Sequence, residues 1–568
     1  MKKFTRLFFL SLLMISLLEG ADQIPYKNIM YYSDWSIYSG QKNFYPSKID
    51  AKLITHLVFA FLDMDSNGDL VLNDEYAAFH IVNLPELEGI NLAEPYAGII
   101  GAMSILKLQN SHLKLGISVG GPSRSGNFSE ISRDKLKRQN FANSLAKFVD
   151  YVGFDFVDIN LGTTDENGNE IVEEYPRNTQ DSDNFVLLLQ DIRSELNAIQ
   201  KDGRRYELSV TMSSLPEKLA IIKYDKVLNF VNFTNLMTYD LYGAWNSYTA
   251  HQSPLYINQA YDDTMIDAQL SVDTCLQYLE DTYGSTIDMK KIVIGVAPYT
   301  RGWRGVKDDG LDKNNPGLYA TASPNSVRSA DGTKAGIYGF HELPSLIKQF
   351  GLVKFYDKTA DASYYYSPTT GYFFTCDNEE SVAHKGKYVK DKGLGGLFMW
   401  MASYDAENVI TKAMFDSLYE KGYTFPEQEL RYDLISISAK IKATETGYNI
   451  TIQNNAAFEE TNQALRDAEE LRRSILNMVV YIVTKSGTVF SPATKNGLII
   501  TTNKNGEIVV DPSSDPDSRI LSPDYRRYTF SVRISGTPDV NDIKQIYVGQ
   551  RILPSLKEFK KRIIYNVN

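Results

Sequence analysis

The stretch Gly153-Phe-Asp-Phe-Val-Asp-Ile-Asn-Leu-Gly162 decides how the rest of the chain is interpreted. Its apolar residues predict a short buried strand, yet this strand carries the carboxylates Asp155 and Asp158. A buried carboxylate is costly unless another group pairs with it or a reaction uses it. Asp158, Asn160 and Gly162 stand two residues apart, so we expect them to share one face of the strand.

Strand-like segments alternate with helical ones over the first 400 residues, which is typical of a parallel α/β architecture. The predicted strands are Asn28–Tyr32, His56–Phe61, Lys114–Val119, Phe154–Leu161, Glu207–Met212, Phe233–Tyr239, Lys291–Ala297 and Gly395–Trp400. Eight such strands with intervening helices predict a closed (β/α)8 barrel, in which the functional groups lie where the strands end.

Six further segments occur in the order found in family 18 glycoside hydrolases, the chitinases, and the chain resembles that family. They are Met30–Trp35, Thr55–Phe61, Lys114–Gly121 with its Ser-x-Gly-Gly, Leu236–Trp245 with its Met-x-Tyr-Asp, Ile294–Trp303 and Gly393–Trp400. The resemblance covers about residues 28–420. It implies a cleft for chitin or N-acetylglucosamine oligosaccharides and no cofactor.

The catalytic strand of this family reads Asp-x-x-Asp-x-Asp-x-Glu, and the chain departs from that pattern at its end. Asp155 and Asp158 match, whereas Asn160 replaces the third Asp and Gly162 replaces the catalytic Glu. In the family that Glu protonates the leaving oxygen and the preceding Asp orients the acetamido group of the sugar. The resemblance therefore implies a site without an intact catalytic residue. The family also usually has Trp where this chain has Pro122.

A displaced acid is the alternative for the catalytic position. Chitinases often read Asp-Trp-Glu-Tyr-Pro here, and this chain has Glu174-Tyr-Pro176 after the polar stretch 163–172. A long loop rarely holds a group within the tolerance that catalysis requires. We therefore expect a solvated acidic loop and little or no hydrolysis, with an active chitinase using Glu174 as the competing hypothesis.

Six residues match family positions that contact substrate, and they form the predicted sugar site. These are Tyr239, Asp240, Trp245, Tyr299, Arg301 and Trp400. Two of these predictions have structural alternatives, since Trp400 would also suit barrel-core packing and Tyr239 with Asp240 would also suit a buried hydrogen-bonded pair.

The domain organisation is predicted from changes in sequence character. We expect a barrel over residues 24–425, with a small α+β insertion at 305–379 between strands seven and eight. Alternating apolar and polar residues in 430–568 predict a β-sandwich-like domain with an inserted helix over 456–476. Its role stays open between protein docking and carbohydrate binding. A structural or adaptor subunit of a secreted, toxin-like assembly is therefore a second hypothesis for the whole chain.

Composition and the N-terminus limit the possible partners and location. The net charge of −11 argues against nucleic acid and anionic membrane surfaces as partners. Residues 1–20 have the form of a signal peptide, and no later run is long enough to span a membrane, so we expect a secreted or periplasmic protein.

The cysteines and histidines give no sign of a disulfide scaffold or a metal site. Cys275 and Cys376 would pair after export or, as we expect, remain separate buried thiols. The six histidines lack the spacing of metal ligands, so the sequence predicts no metal site.

Overall fold

The computed structural model describes most of the chain from residue 24 to residue 566. The described ranges are 24–41, 43–81, 84, 98–122, 124–162, 175–200, 205–258, 270–307, 313–322, 336–428, 437–473, 475–476, 478–485, 490–493, 499–511, 520–521, 527–534, 537–552 and 557–566. The predicted signal peptide and Glu174 lie outside these residues.

Parallel strands close into a barrel, as predicted. The strands of the first 400 residues are β1 (Lys27–Ser33), β2 (His56–Met64), β3 (Leu70–Leu72), β4 (Lys114–Gly120), β5 (Phe156–Asn160), β6 (Glu207–Ser213), β7 (Phe233–Met237), β8 (Ile292–Val296), β9 (Arg301–Trp303), β10 (Val353–Asp357), β11 (Ala362–Ser367), β12 (Tyr372–Thr375) and β13 (Gly396–Met399). The order β1-β2-β4-β5-β6-β7-β8-β13 returns to β1, all pairs being parallel. The predicted barrel is confirmed, and β3 adds an antiparallel edge to β2.

Helices cover the outside of the barrel. They are α1 (Gly98–Gln109), α2 (Phe128–Arg133), α3 (Lys135–Val152), α4 (Thr179–Ala198), α5 (Pro216–Leu219), α6 (Tyr224–Val227), α7 (Val272–Tyr283), α8 (Leu343–Phe350), α9 (Glu379–Lys392), α10 (Val409–Leu418) and, further on, α11 (Gln463–Arg473). Because helices cover one face and the barrel interior the other, β5 is buried along its whole length.

Local signals fix how the chain enters the central strand β5. Asp134 accepts hydrogen bonds from the backbone N–H groups of Leu136 and Lys137 and so begins α3. Gly153, in the left-handed conformation at φ 71°, ends the helix and turns the chain toward β5. Phe154 and Asp155 precede β5, so the strand is shorter than predicted.

An antiparallel sheet lies between β8 and β13, where the insertion was predicted. Its strands are ordered β10-β11-β12-β9. Helix α8 packs on it through Leu343 and Leu346, which share a core with Tyr365 and Phe374. This unit stands at the carboxyl end of the barrel because β9 begins shortly after β8 ends.

The described residues of the C-terminal region form two larger sheets and one two-stranded sheet, in agreement with the predicted β-rich fold. Its strands are β14 (Ile437–Thr444), β15 (Gly447–Asn454), β16 (Ile475–Leu476), β17 (Met478–Thr484), β18 (Phe490–Ala493), β19 (Ile499–Thr502), β20 (Ile508–Asp511), β21 (Ile520–Leu521), β22 (Arg527–Ile534), β23 (Ile543–Ile552) and β24 (Lys557–Asn566). Sheets β14-β15-β22-β18 and β19-β20-β17-β23-β24 enclose one apolar core, to which Ile450, Val480 and Val548 belong. The short strands β16 and β21 pair separately.

The helix predicted over 456–476 is shorter in the structure, and its N-terminal part is not helical. The carboxylate of Glu469 accepts hydrogen bonds from the backbone N–H groups of Glu459 and Glu460. Asn462 Oδ1 then accepts from Leu465 N at 3.1 Å and begins α11. The chain before Asn462 is therefore held by a side chain of the helix and does not extend it.

Both cysteines are buried and unpaired, as expected, and burial raises the pKa of the Cys275 thiol to about 12. In the part of the chain that the structure describes, no helix combines the length and apolarity that crossing a membrane requires.

Candidate functional site

The predicted catalytic strand carries its polar residues at two different ends of the barrel. Asp155 lies just before β5, where Lys107 Nζ contacts its carboxylate at 2.5 Å and Leu115 N donates to it at 2.7 Å. Asp158, Asn160 and Gly162 follow toward the carboxyl end, where barrels of this class carry their functional groups. Asp155 is therefore part of the barrel's structural framework.

Asp158 is fully buried and is held by hydroxyl groups from the two neighbouring strands, β4 and β6, and from β1 across the barrel interior. Its carboxylate accepts hydrogen bonds from Ser118 Oγ and Ser209 Oγ at 2.7 Å, Tyr31 Oη at 2.9 Å and Thr211 Oγ1 at 3.0 Å. Burial raises the pKa of Asp158, while these hydroxyl donors act in the opposite direction. Because both of its carboxylate oxygens accept hydrogen bonds from these hydroxyl groups, we infer that Asp158 stabilises the barrel interior.

Asn160 is 4% exposed and lies one pleat nearer the mouth of the barrel. Its backbone oxygen accepts hydrogen bonds from Gly121 N at 2.9 Å and Ser125 Oγ at 3.2 Å. No described group donates a hydrogen bond to its side-chain Oδ1. The Asn160 side chain therefore provides a buried, uncharged hydrogen-bond acceptor, its Oδ1, where an aspartate would provide a negative charge.

Gly162 is the residue that we predicted to replace the catalytic acid, and the β4–α2 loop closes the space beside it. A Cβ atom at this glycine would lie 2.4 Å from Pro122 N, 2.5 Å from Gly121 C and 2.7 Å from Pro122 Cα. Contacts under 3.0 Å are essentially never found for real Cβ atoms, and these are with backbone, which cannot simply rotate away. This position therefore admits no side chain without a shift of the β4–α2 loop.

Arg124 anchors that same loop to the first two strands. Its Nη1 donates to Phe61 O at 2.7 Å and to Asp34 Oδ2 at 3.2 Å, and its guanidinium lies 6.0 Å from the Trp35 ring. Burial raises the pKa of Asp34 to about 6, although Arg124 acts to lower it. The loop that fills the space beside Gly162 is thus fixed by an ion pair and a backbone contact.

A second polar group of the mouth joins β7 to β9. Arg301 Nε donates to Asp240 Oδ1 at 2.7 Å, and the guanidinium lies 5.2 Å from the Trp245 ring and 5.9 Å from the Tyr299 ring. Asp240 adopts the left-handed conformation at φ 57°, which turns it out of the strand direction. Burial lowers the pKa of Arg301, but the Asp240 carboxylate outweighs this and raises it.

Aromatic rings form the third part of the mouth. Trp400 stacks on Phe61, with ring centroids 5.4 Å apart and planes 18° from parallel, and also contacts Tyr31 and Trp35. Trp400 is half-buried, so it packs on the barrel and keeps part of its surface free. Trp245 is 43% exposed and offers the most accessible ring of the mouth.

The six predicted substrate-contacting residues lie in one connected group. Tyr239 links its two halves, because its ring contacts Tyr299 at 6.2 Å and Phe398 at 5.8 Å, and Phe398 contacts Tyr31 at 6.0 Å. Burial raises the pKa of Tyr239 well above its usual value, and Asp240 adds to this. The hydroxyl is therefore a neutral donor at physiological pH.

The sequence interpretation missed four residues that complete this group. Tyr31, Trp35, Phe61 and Arg124 contact the predicted residues or each other. The sequence could have indicated three of them, because Tyr31, Trp35 and Phe61 lie in the family-like segments at the ends of the first two strands. Arg124 carried no signal, because its role depends on the path of the β4–α2 loop.

The alternative acid Glu174 lies outside the described residues, and the chain resumes at Tyr175. Tyr175 Oη donates to Ser132 Oγ at 2.7 Å and to Asp181 O at 3.0 Å, and its ring stacks on Phe128. The segment after the acidic stretch is thus anchored between α2 and α4.

The arrangement can bind a ligand that has both apolar faces and polar edges. Exposed aromatic rings suit the apolar faces of sugars, while Asp240, Arg301 and Asn160 supply hydrogen-bonding groups. The carboxylates Asp158, Asp240 and Asp34 are already bound to hydroxyl or guanidinium groups.

Proteins named as chitinases are among the relatives of similar sequence. Chitinase A1 of Niallia circulans is 28% identical over 472 residues, which is 78% of this chain and 65% of that protein. The chain thus matches just under two thirds of that enzyme's length. Chitinase 1 of Aphanocladium album is 28% identical over 66% of this chain and 81% of its own.

Solved structures of chitinases share the fold. Chitinase ChiA74 from Bacillus thuringiensis superposes with a TM-score of 0.62 at 20% identity, covering 92% of this chain and all of its own. The Group IV chitinase of Ostrinia furnacalis in complex with allosamidin gives 0.56 at 23% identity and covers 69% of this chain and 97% of its own. At these identities the likeness concerns the fold alone.

The family assignment rests on the barrel region itself. The model of the glycosyl hydrolases family 18 matches residues 27–405, which contain every barrel strand, the inserted sheet and the mouth described above. The chain therefore belongs to glycosyl hydrolase family 18.

Proposed function

We propose that this protein binds N-acetylglucosamine oligosaccharides of chitin in the mouth of its barrel and has lost the hydrolysis typical of its family. The proposal that a chitin-type sugar is the ligand is supported by the family and by relatives named as chitinases. The loss of hydrolysis is supported chiefly by one observation. At Gly162 the loop backbone lies 2.4–2.7 Å from where a Cβ would stand, so the position of the acid is closed as well as empty.

The expected effect on the reaction follows from the chemistry of the missing groups. Family 18 enzymes use the substrate's own acetamido group in place of an enzyme nucleophile. The step then depends on a proton donor for the leaving oxygen and on a charge that stabilises the cyclic cation. A positioned general acid contributes about 10²–10⁴-fold, and Asn160 supplies no charge beside it. Together these losses reduce hydrolysis by the family route to a negligible rate.

Sugar binding does not require the missing acid. Trp400 and Trp245 present ring surfaces, and Asp240 and Arg301 hold each other in position beside Trp245. Ring surfaces bind the apolar faces of pyranoses, and the ion pair supplies fixed acceptors and donors for hydroxyl and acetamido groups. The ligand is therefore bound without being cut.

The test measures binding and turnover on the same preparation. Chitohexaose is titrated calorimetrically into the full chain, and a fluorogenic chitotriose is used to assay hydrolysis. We expect binding of micromolar to millimolar affinity and no turnover above the buffer rate. Absence of binding at millimolar chitohexaose contradicts the sugar-binding function.

A matched pair of aromatic substitutions locates the site. Trp245→Ala removes the exposed ring beside Arg301 and is expected to weaken binding by about tenfold, because a stacked ring contributes roughly 1–2 kcal/mol. Tyr256→Ala serves as the control, since Tyr256 is 37% exposed but packs on Tyr388 of the outer helix α9. Equal affinities for the two variants place the ligand elsewhere.

A working chitinase that uses Glu174 is the competing function. The observation in its favour is that the relatives are named chitinases and endochitinases. Turnover that disappears in Glu174→Gln while binding persists establishes this alternative and removes the non-hydrolytic proposal. Turnover that survives the substitution excludes Glu174 as the acid.

We also propose that residues 1–20 direct export of the protein and that residues 430–568 bind a protein partner. The adaptor hypothesis predicts co-purification of the full chain with a second protein from its native source. A monomer that elutes alone and binds chitohexaose favours the sugar-binding function over the adaptor one.

A further inference from the structure

Three potential metal ligands from distant parts of the sequence meet where the C-terminal region contacts the barrel. They are Glu75, His80 and Asp467, whose ligand atoms all lie within 4.8 Å of one another. His80 Nε2 is 3.2 Å from Glu75 Oε1 and 3.7 Å from Asp467 Oδ2. We propose that these residues bind one divalent transition-metal ion of the zinc type, which joins the C-terminal region to the barrel.

The local structure places two of the ligands side by side on the barrel. The chain after β3 forms a single π-helical turn at Tyr76–His80, closed by the hydrogen bond from Ile81 N to Tyr76 O at 2.9 Å. Glu75 immediately precedes this turn. A π-helical turn brings residues five apart onto the same side, so Glu75 and His80 project together. A regular α-helix would have separated them.

The third ligand comes from α11 and provides independent support for a bound cation. The Asp467 side chain is 7% exposed, and its Oδ1 accepts a hydrogen bond from Gln463 Nε2 at 2.7 Å. Its Oδ2 faces His80, and no described group donates a hydrogen bond to it. A buried carboxylate oxygen without a partner is costly, and a cation at the centre of the three ligands would satisfy it.

The separations fit direct coordination. A tetrahedral ion with bonds of about 2.0–2.1 Å to nitrogen and oxygen separates its ligand atoms by about 3.4 Å. The observed 3.2 and 3.7 Å lie on either side of that value. Small side-chain rotations of the partly exposed Glu75 and His80 bring all three atoms into range.

The ligand types favour a transition metal over calcium or magnesium. Hard cations prefer oxygen ligands, whereas an imidazole with two carboxylates suits zinc and its neighbours. Glu75 and His80 are 44% and 33% exposed, so one side of the site is open and water completes the coordination.

The ion would reinforce an existing contact between the two regions. Asn462 Nδ2 donates to Leu70 O at 3.1 Å, and Lys147 Nζ lies 3.0 Å from Glu460 Oε1. These contacts join the start of α11 to β3 and α3. A metal held by Glu75, His80 and Asp467 would join the same two regions one turn further along α11.

The experiment uses the full chain after removal of bound metal with a chelator. Zn²⁺ is titrated calorimetrically, and the melting temperature is measured with and without Zn²⁺. We expect one Zn²⁺ per chain and a melting temperature raised by about 2–5 °C at a hundredfold excess over Kd. Ca²⁺ at the same concentration is expected to give neither effect. Absence of Zn²⁺ binding, or equal affinity for Ca²⁺, overturns the proposal.

Two substitutions and a matched control identify the ligands. Asp467→Asn keeps the size of the side chain and is expected to weaken Zn²⁺ binding at least about tenfold and to abolish the rise in melting temperature. His80→Gln tests the same site from the barrel side, should the first variant fail to fold. His384→Gln is the control, because His384 and Asp361 form a similar pair at 3.1 Å without a third ligand among the described residues. Zn²⁺ binding that is unchanged in both site variants, or lost in the control, refutes the assignment.

Discussion

At the scale of single residues, Asp158 and Gly162 differ in the contacts that surround them. Asp158 is enclosed by four hydroxyl donors from the barrel interior, so replacing it would leave those donors without their acceptor. Four residues later, Gly162 has loop backbone where a side chain would begin. The first position is maintained by barrel folding itself. The second position has no side chain that accepts hydrogen bonds, and the backbone of the neighbouring loop occupies the space beside it.

The packing at Gly162 predicts that a single substitution cannot place an acidic side chain there. Gly162→Glu is expected to lower the free energy of unfolding by about 1–3 kcal/mol, because the new Cβ meets the backbone of Pro122 and Gly121. It is also expected to leave the fluorogenic chitotriose uncut. Chemical denaturation and the hydrolysis assay measure the two effects.

Gly40→Glu is the matched control for that substitution. A Cβ at Gly40 meets no atom within 4 Å, so we expect a change of less than about 0.5 kcal/mol. A Gly162→Glu protein that is as stable as the Gly40→Glu protein, or that hydrolyses the substrate, contradicts the packing at Gly162.

At the scale of elements, the amino ends of three barrel strands are joined by a polar cluster of His56, Lys114 and Glu207. His56 Nε2 on β2 lies 3.1 Å from Glu207 Oε2 on β6, and Lys114 Nζ on β4 lies 2.5 Å from Glu207 Oε1. Burial lowers the pKa of His56 to about 4. Burial acts to raise the pKa of Glu207, but Lys114 and His56 outweigh it and hold it well below its usual range.

These shifts predict that mild acid weakens the barrel. A histidine whose pKa is about 4 when folded and about 6.5 when unfolded stabilises the fold above pH 6.5, and this contribution is lost as pH falls toward 4. The loss amounts to about 3 kcal/mol at most. We expect His56→Gln to flatten the fall in melting temperature between pH 6.5 and 4.

His384→Gln provides the comparison, because the His384 side chain is 42% exposed. An equally flattened pH dependence in the His384→Gln protein would show that the effect is not specific to His56. Equal slopes for the His56→Gln variant and the unchanged protein would show that His56 does not carry the acid sensitivity.

For the whole molecule, α11 is an element of the C-terminal region that packs on the barrel. Its residues Ala464, Leu465, Ala468 and Leu471 are buried in the same apolar core as the barrel helices, not in the core between the two sheets. The helix therefore lies between strands of the C-terminal region in the sequence, whereas its apolar side chains pack against the barrel. We expect the two regions to unfold together because of it.

Weakening this contact should separate the two unfolding events. Leu465→Ala is expected to cost about 2–4 kcal/mol and to split or broaden the calorimetric unfolding transition. Arg466→Ala, at an exposed position of the same helix, should change the transition little. A Leu465→Ala protein with an unaltered transition would show that α11 does not couple the regions.

The predictions from sequence were most accurate for elements whose local hydrophobic pattern matches their burial in the fold. The eight barrel strands were placed correctly because each is an apolar run bounded by turn or helix signals, although Phe154, Asp155 and Leu161 fall outside the observed β5. The helix predicted over 456–476 was too long, since its start depends on Glu469 reaching back to the chain before Asn462. The six predicted mouth residues do lie together, but Arg124 could not be found because loop paths leave no periodic signal.

The sequence by itself determined the barrel, the order of its strands and the presence of a glycine at position 162 just after β5, because burial patterns and residue identities are local properties of the chain. Only the tertiary structure decided that the space beside Gly162 is filled by the Gly121–Pro122 backbone and that Glu75, His80 and Asp467 meet. Both depend on segments that are far apart in sequence, and their approach is fixed by packing alone.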